Sequence, residues 1–218
     1  MKKERVIRMK KIVSLFLIGI LSLTIIGCNG TGSSDAENSN TKTEEEQNKT
    51  TDFINDDDSY FIIIDGQKFS AGDNIIDLSD IGYNLRESEA SEKVPANKFL
   101  IGAGGMRDLE DNLIFKVIPF NPTESSVMLS DAVIGGIDLD DFAKRYNDKV
   151  ENLEVYGGVK LGFTEDELKE VFGEPSDISK GDNYHIYRYK SDDSNRYYQF
   201  NFDEEGRVSR IKWQNLLF

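Results

Sequence analysis

The chain opens with an almost unbroken apolar run of fifteen residues, Ile12 to Ile26, behind a basic segment holding Lys2, Lys3, Arg5, Arg8, Lys10 and Lys11 against the single acid Glu4. Such a run suits a signal-peptide core and is short for a membrane span. Residues 29 to 58 reverse the pattern: Ser, Thr, Asn, Asp and Glu dominate, and only Ala36, Phe53 and Ile54 are apolar. A segment with so little to bury predicts a disordered tether over residues 28–58. Apolar positions return at Ser59. Tyr60-Phe61-Ile62-Ile63-Ile64 and Gln67-Lys68-Phe69 flank Asp65-Gly66, a pairing that predicts a tight β-hairpin. Residues 71 to 96 mix apolar and polar positions without a period and predict short strands and loops. Further strands are expected at Lys98 to Ile101, Leu113 to Ile118 and Val127 to Asp138, the last bent or bulged at Gly135-Gly136. Apolar residues at Leu139, Phe142, Ala143, Tyr146, Val150 and Leu153 follow the spacing of one helical face, with Asp138 as its cap.

The last sixty residues carry the clearest local signals. Thr164 and Glu167 form a capping box, Leu168, Val171 and Phe172 give the helix an apolar face, and Gly173 followed by Pro175 ends it. Three strand-like runs follow, Tyr184 to Tyr189, Tyr197 to Phe202 and Val208 to Trp213, separated by short polar stretches suited to antiparallel turns. The expected fold class is α+β, mostly antiparallel β, with a C-terminal helix plus three-stranded meander after the tether. The organisation reads as a signal peptide at 1–27, the tether at 28–58, a β-rich N-terminal subdomain at 59–156 and a helix-plus-meander subdomain at 157–218.

The apolar run ends at Ile25-Ile26-Gly27-Cys28, which resembles the lipobox of bacterial lipoproteins. That resemblance implies a diacylglyceryl group on Cys28, which becomes the mature N-terminus and holds the chain on the outer face of the cell membrane. Two acyl chains anchor stably where one binds marginally. Gly162-Phe163-Thr164, Leu168, Phe172-Gly173-Glu174-Pro175 and the aromatic meander resemble the repeat unit of β-lactamase-inhibitor-protein-like domains, which also occurs in small lipoproteins of outer-membrane barrel assembly. The likeness covers residues 157 to 213 and implies a fold more than an activity. A second Gly-Phe-Thr repeat is absent upstream.

Composition narrows the function. Cys28 is the only cysteine, so no internal disulfide, cysteine-based metal site or thiol chemistry is available. Removing residues 1–27 leaves 20 basic and 39 acidic residues, a net charge of −19, which lacks the basic footprint of a nucleic-acid binder. Gly102-Ala103-Gly104-Gly105 precedes no helix signal and reads as a turn rather than a phosphate cradle. No metal site or cofactor is expected. His185 is the sole histidine and has no evident nucleophile to serve. Acids are spread so evenly that a carboxylate-pair hydrolase has no marked site.

Alternation within the meander sends Tyr187, Tyr189, Tyr198, Phe200, Phe202, Ile211 and Trp213 inward and leaves Arg188, Lys190, Tyr197, Gln199, Asn201, Arg210 and Lys212 outward. The outer face then offers Arg188, Tyr197, Arg210 and Lys212 to an anionic partner, either an envelope protein or a cell-wall polymer. The alternative is an ordinary solvated face neutralised by nearby acids. The functional expectation is a membrane-anchored, non-catalytic binding or envelope-associated module, with an inhibitor of a secreted enzyme or a cell-wall hydrolase as alternatives.

Overall fold

A computed structural model describes residues 53–145, 150, 152–192 and 195–216. Cys28, the tether up to residue 52 and part of the helix expected between Leu139 and Leu153 lie outside the described residues.

The first element is the hairpin of β1 (Phe61–Ile64) and β2 (Gln67–Ser70), with Ile64 opposite Gln67. Its turn falls on Asp65 (φ 49°) and Gly66 (φ 80°), the two left-handed positions that the Asp-Gly pair predicts. Residues 71 to 92 then follow as a 3-10 segment at Ile75–Ile81 and a single turn, α1 (Glu87–Ala90). Short strands β3 (Lys93–Val94) and β7 (Val127–Met128) pair with one another.

The remaining strands build one eight-stranded antiparallel sheet. These are β4 (Lys98–Phe99), β5 (Gly105–Arg107), β6 (Leu113–Asn121), β8 (Val133–Asp140), β9 (Asp177–Gly181), β10 (Tyr184–Lys190), β11 (Arg196–Phe202) and β12 (Val208–Asn215). Their order is β4-β6-β8-β12-β11-β10-β9, with β5 also on the free edge of β6. The β8–β12 ladder, from Arg210 opposite Asp140 to Gln214 opposite Gly136, carries the sheet across the expected subdomain boundary at 156/157. Both halves contribute to one apolar core.

One face of the sheet is packed. Tyr187, Tyr189, Tyr198, Phe200, Phe202, Ile211 and Trp213 are all buried on it, as alternation requires. The helix α2 (Glu165–Phe172) lies against this face with Leu168 and Phe172 buried. Its start carries both halves of the capping box: the Thr164 hydroxyl accepts from Glu167 N (3.3 Å) and Glu167 Oε2 accepts from Thr164 N (2.8 Å). Phe172 meets Phe53, Tyr189, Tyr198 and Phe200 with ring centroids 4.8 to 5.1 Å apart.

Three expectations are corrected. The tether does not extend to residue 58, because Phe53 and Ile54 are buried in this core, the Tyr60 hydroxyl donates to Ile54 O (2.7 Å) and the Tyr198 hydroxyl to Ser59 O (2.5 Å). Asp57, within the stretch assigned to the tether, accepts from Arg196 Nη2 (2.6 Å) and Asn215 Nδ2 (2.9 Å). The helix predicted from Leu139 does not begin there. Leu139 and Asp140 belong to β8, whose ladder with β12 outweighs the local helical spacing, and a 3-10 segment at Asp141–Arg145 follows. Asp140 rather than Asp138 caps that segment, accepting from Phe142 N (2.9 Å).

Gly135-Gly136 marks a real irregularity: the β6–β8 register slips between Ile118 and Pro119, so that Gly135 is bulged. A side chain at Gly136 would strike the Trp213 carbonyl oxygen and approach Ile118 Cδ1 to 2.9 Å, so close strand approach explains the glycine. Gly102-Ala103-Gly104-Gly105 runs directly into β5, in keeping with a turn.

Candidate functional site

The outer face of the sheet bears a cleft of about 410 Å³ where β6, β8 and β12 meet the loop after β5 and the 3-10 segment at Asp141–Arg145. Pleating places Lys116 on this face opposite Asp138, and Asp138 in turn opposite Lys212. One carboxylate is thus flanked by a lysine on each neighbouring strand. Neither takes it. Arg210, one pair further along β12, reaches diagonally and binds Asp138 in a fork, Nε to Oδ1 at 2.7 Å and Nη2 to Oδ2 at 2.5 Å. This paired geometry is the strongest form of a guanidinium–carboxylate contact, and the Asp138 bond holds the Arg210 pKa above its ordinary value. Asp140 Oδ2 stands 3.9 Å from Arg210 Nε.

The other wall is apolar. Ile114 shares the face of Lys116 yet is fully buried, because the Asp141–Arg145 segment packs across β6 there. Leu113, Phe115, Phe142 and Ala143 complete the lining. Phe142 remains 52% exposed, which makes it the apolar rim. Arg107 closes the third side. Its Nη1 donates to Asp111 O (2.9 Å), but its buried Nε has no hydrogen-bond acceptor, with Asp111 Oδ1 3.6 Å away. Asp111 is instead bound by Arg86 (2.8 Å), whose hydrogen bond holds that carboxyl below its ordinary pKa.

The four outer-face residues expected from sequence separate into different roles. Arg188 is taken up within the sheet, its Nη1 donating to Asp177 (3.0 Å) and Ser179 (3.1 Å) and its Nε to Gln199 (3.0 Å). Arg210 lies in the cleft but is committed to Asp138. Lys212 sits over the Tyr197 ring of the neighbouring strand, 5.8 Å from its centroid, and does not line the cleft. All four share the face, but Asp138, Asp140 and Asp177 share it too, and they neutralise both arginines. Lys116, missed by the sequence reading, has no ion-pair partner among the described residues. Its signal was present: it is the lone polar residue in Leu113-Ile114-Phe115-Lys116-Val117-Ile118.

A second cavity, about 310 Å³, is lined by Glu165, Lys180, Asp182, His185, Phe202, Asp203 and Glu204 among others. The sequence left His185 without a partner, and the fold supplies one. Glu165, the first residue of α2, places Oε1 3.1 Å from His185 Nδ1 and accepts the Tyr187 hydroxyl at Oε2 (2.6 Å). A carboxylate-oriented imidazole is one half of a general-base arrangement. No Ser, Thr or Cys lines this cavity among the described residues, whereas Tyr184 and the carboxylates of Asp182, Asp203 and Glu204 do.

No group of three or more metal-ligating side chains occurs among the described residues, and no helix among them is long and apolar enough to cross a membrane. Comparison of the chain with family models, with curated proteins and with solved structures finds no match.

Proposed function

We propose that the chain is a lipid-anchored, extracytoplasmic, non-catalytic binding module that recognises its partner through the cleft over β6, β8 and β12. The observation that carries this reading is the cleft itself: an apolar wall facing a charged one, on the sheet face turned away from the core, with a lysine that has no partner among the described residues. Sites that hold ligands combine apolar lining with a few convergent polar groups in this way. Anchoring through Cys28 rests on the lipobox-like sequence, and the acidic stretch from Asn29 to Asp52 gives the domain a reach of about 80 Å at full extension. The meander's likeness to inhibitor-type repeat units suits a protein partner better than a small substrate.

Two experiments test the reading. Cells fed an alkyne palmitate should label the full chain, while Cys28→Ala abolishes label and processing; label on that variant would sink the anchor. In the second, the chain from Asn29 onward is sedimented with isolated envelopes. Lys116→Glu should lower the bound fraction several-fold, and unchanged binding would remove the cleft from consideration. Substituting Arg188 or Arg210 is a poorer test, because each would strand an aspartate.

One observation favours a second reading, the hydrolase: His185 oriented by Glu165 at a cavity. Release of new reducing ends from purified cell wall, abolished by His185→Gln, would establish it.

A further inference from the structure

We infer that the cleft over β6, β8 and β12 takes a ligand with a carboxylate close to an apolar group, a terminal carboxylate of a peptide or a small amphipathic acid; the inference rests on the cleft being the recognition site.

Every carboxylate in the cleft already has donors. Asp138 is held at both oxygens by Arg210. Asp111 is bound by Arg86 and approached by Arg107. Asp140 accepts from Phe142 N at one oxygen and faces Arg210 with the other. The donors are not matched in the same way. Lys116 has no partner among the described residues, and Arg107 Nε has no hydrogen-bond acceptor among them, with Asp111 Oδ1 3.6 Å away. The unused capacity is therefore donor capacity, and it calls for an acceptor with negative charge. A cation entering the cleft would have to compete with guanidinium groups for carboxylates already bound.

The apolar half fixes the rest of the ligand. Lys116 stands on the strand that also carries Leu113 and Ile114, with Phe142 exposed at the rim, so a ligand whose charge meets Lys116 lays its adjoining atoms on apolar surface. A volume of about 410 Å³ admits one side chain or acyl segment with its carboxylate rather than a long polymer. The surrounding protein is strongly acidic, but its field is screened beyond about 8 Å at physiological salt, and within the cleft Arg107, Lys116 and Arg210 balance Asp111, Asp138 and Asp140, so the pairing of these groups decides.

The test follows backbone amide NMR shifts of the chain from Asn29 onward, which retains every core residue. It is titrated separately with 3-phenylpropanoate, its neutral amide, phenethylammonium, and acetyl-alanyl-phenylalanine with a free or an amidated terminus. The two carboxylates should shift amides of residues 113–116 and 138–142, each binding at least about five-fold tighter than its amide, and Lys116→Gln should erase that difference. The ratio between the free acid and the peptide acid identifies the source. Equal or tighter binding of phenethylammonium, or an unchanged preference in Lys116→Gln, would overturn the ligand class while leaving the cleft as a site. No shift at these residues with any probe overturns the class as well, and the envelope sedimentation then decides whether the cleft recognises anything.

Discussion

Replacing Phe53 by alanine should remove about 4 kcal/mol of stability, although this residue sits at the end of a polar stretch that looks dispensable. Its side chain is 6% exposed, and its ring lies 5.1 Å from Tyr156 in a stacked pair, 4.8 Å from Phe172 edge-on, and 6.3 Å from both Tyr189 and Tyr198. A buried aromatic removes roughly 150–250 Å² from water, and at about 25 cal/mol per Å² the transfer alone reaches about 4–6 kcal/mol. Part of the void will close, so the middle of the roughly 3–5 kcal/mol range for Phe→Ala is the better figure. The assay is urea unfolding of the chain from Asn29 onward, followed by the fluorescence of Trp213, the only tryptophan and fully buried. With a slope of about 2 kcal/mol per molar, the midpoint should fall by about 2 M. A chain beginning at Asp52 should match the longer one within about 0.5 kcal/mol, whereas one beginning at Asn55 should lose at least as much as Phe53→Ala. If the chain beginning at Asn55 unfolds at the same urea concentration as the longest one, residues 53–54 are no part of the core and the reasoning fails.

Asp57→Ala leaves donors of Arg196 and Asn215 without their shared carboxylate, and because Asp57 is itself about half exposed the expected cost is about 1–2 kcal/mol in the same assay. Gly136→Ala must displace the Trp213 carbonyl from the β8–β12 ladder and should cost at least about 2 kcal/mol by urea midpoint. Stability should fall at both ends of the pH range. Burial raises the Tyr83, Tyr189 and Tyr198 hydroxyls above their ordinary pKa, and burial with the Glu165 hydrogen bond does so for Tyr187. Their contribution is complete below about pH 10 and is lost above it as the unfolded chain ionises first. Hydrogen bonds from Arg86, Thr164 and Arg188 hold Asp111, Glu167 and Asp177 below the usual carboxylate range, so their contribution is present above about pH 4 and is lost as the pH falls further. Urea midpoints measured from pH 2 to 12, with tyrosinate absorbance at the alkaline end, should show both limbs.

The meander, the capped helix and the first hairpin were legible because each is specified by neighbours in sequence. Alternation sorted seven inward side chains, a capping box set the helix start, and Asp65-Gly66 set a turn. What the sequence concealed is long-range. Nothing local says that β8 pairs with β12, and that ladder turned Leu139 and Asp140 from a helix start into strand. The same ladder brings Asp138 to Arg210, 72 positions away, and so converts an apparently basic face into a mixed one. Phe53 and Ile54 are too short an apolar pair to signal burial by themselves, and the edge strand β9, Asp177-Ile178-Ser179-Lys180-Gly181, has one apolar residue and exists through its pairing with β10. Half of the cleft was nonetheless visible in principle. A lysine inside an apolar strand and the Ile137-Asp138-Leu139-Asp140 alternation both point charges to one face, but only the strand order shows that it is the same face.

The most direct test of the cleft as the recognition site is site-specific photo-crosslinking of the full chain in the cells that produce it. A benzophenone side chain would replace Phe142 at the rim of the cleft, leaving Lys116 in place, and the exposed Lys68 of the β1–β2 hairpin as the control. The account predicts one discrete adduct from position 142, diminished when 3-phenylpropanoate is added, and none from position 68. Equal adducts from both positions, or an adduct from position 68 alone, would contradict it.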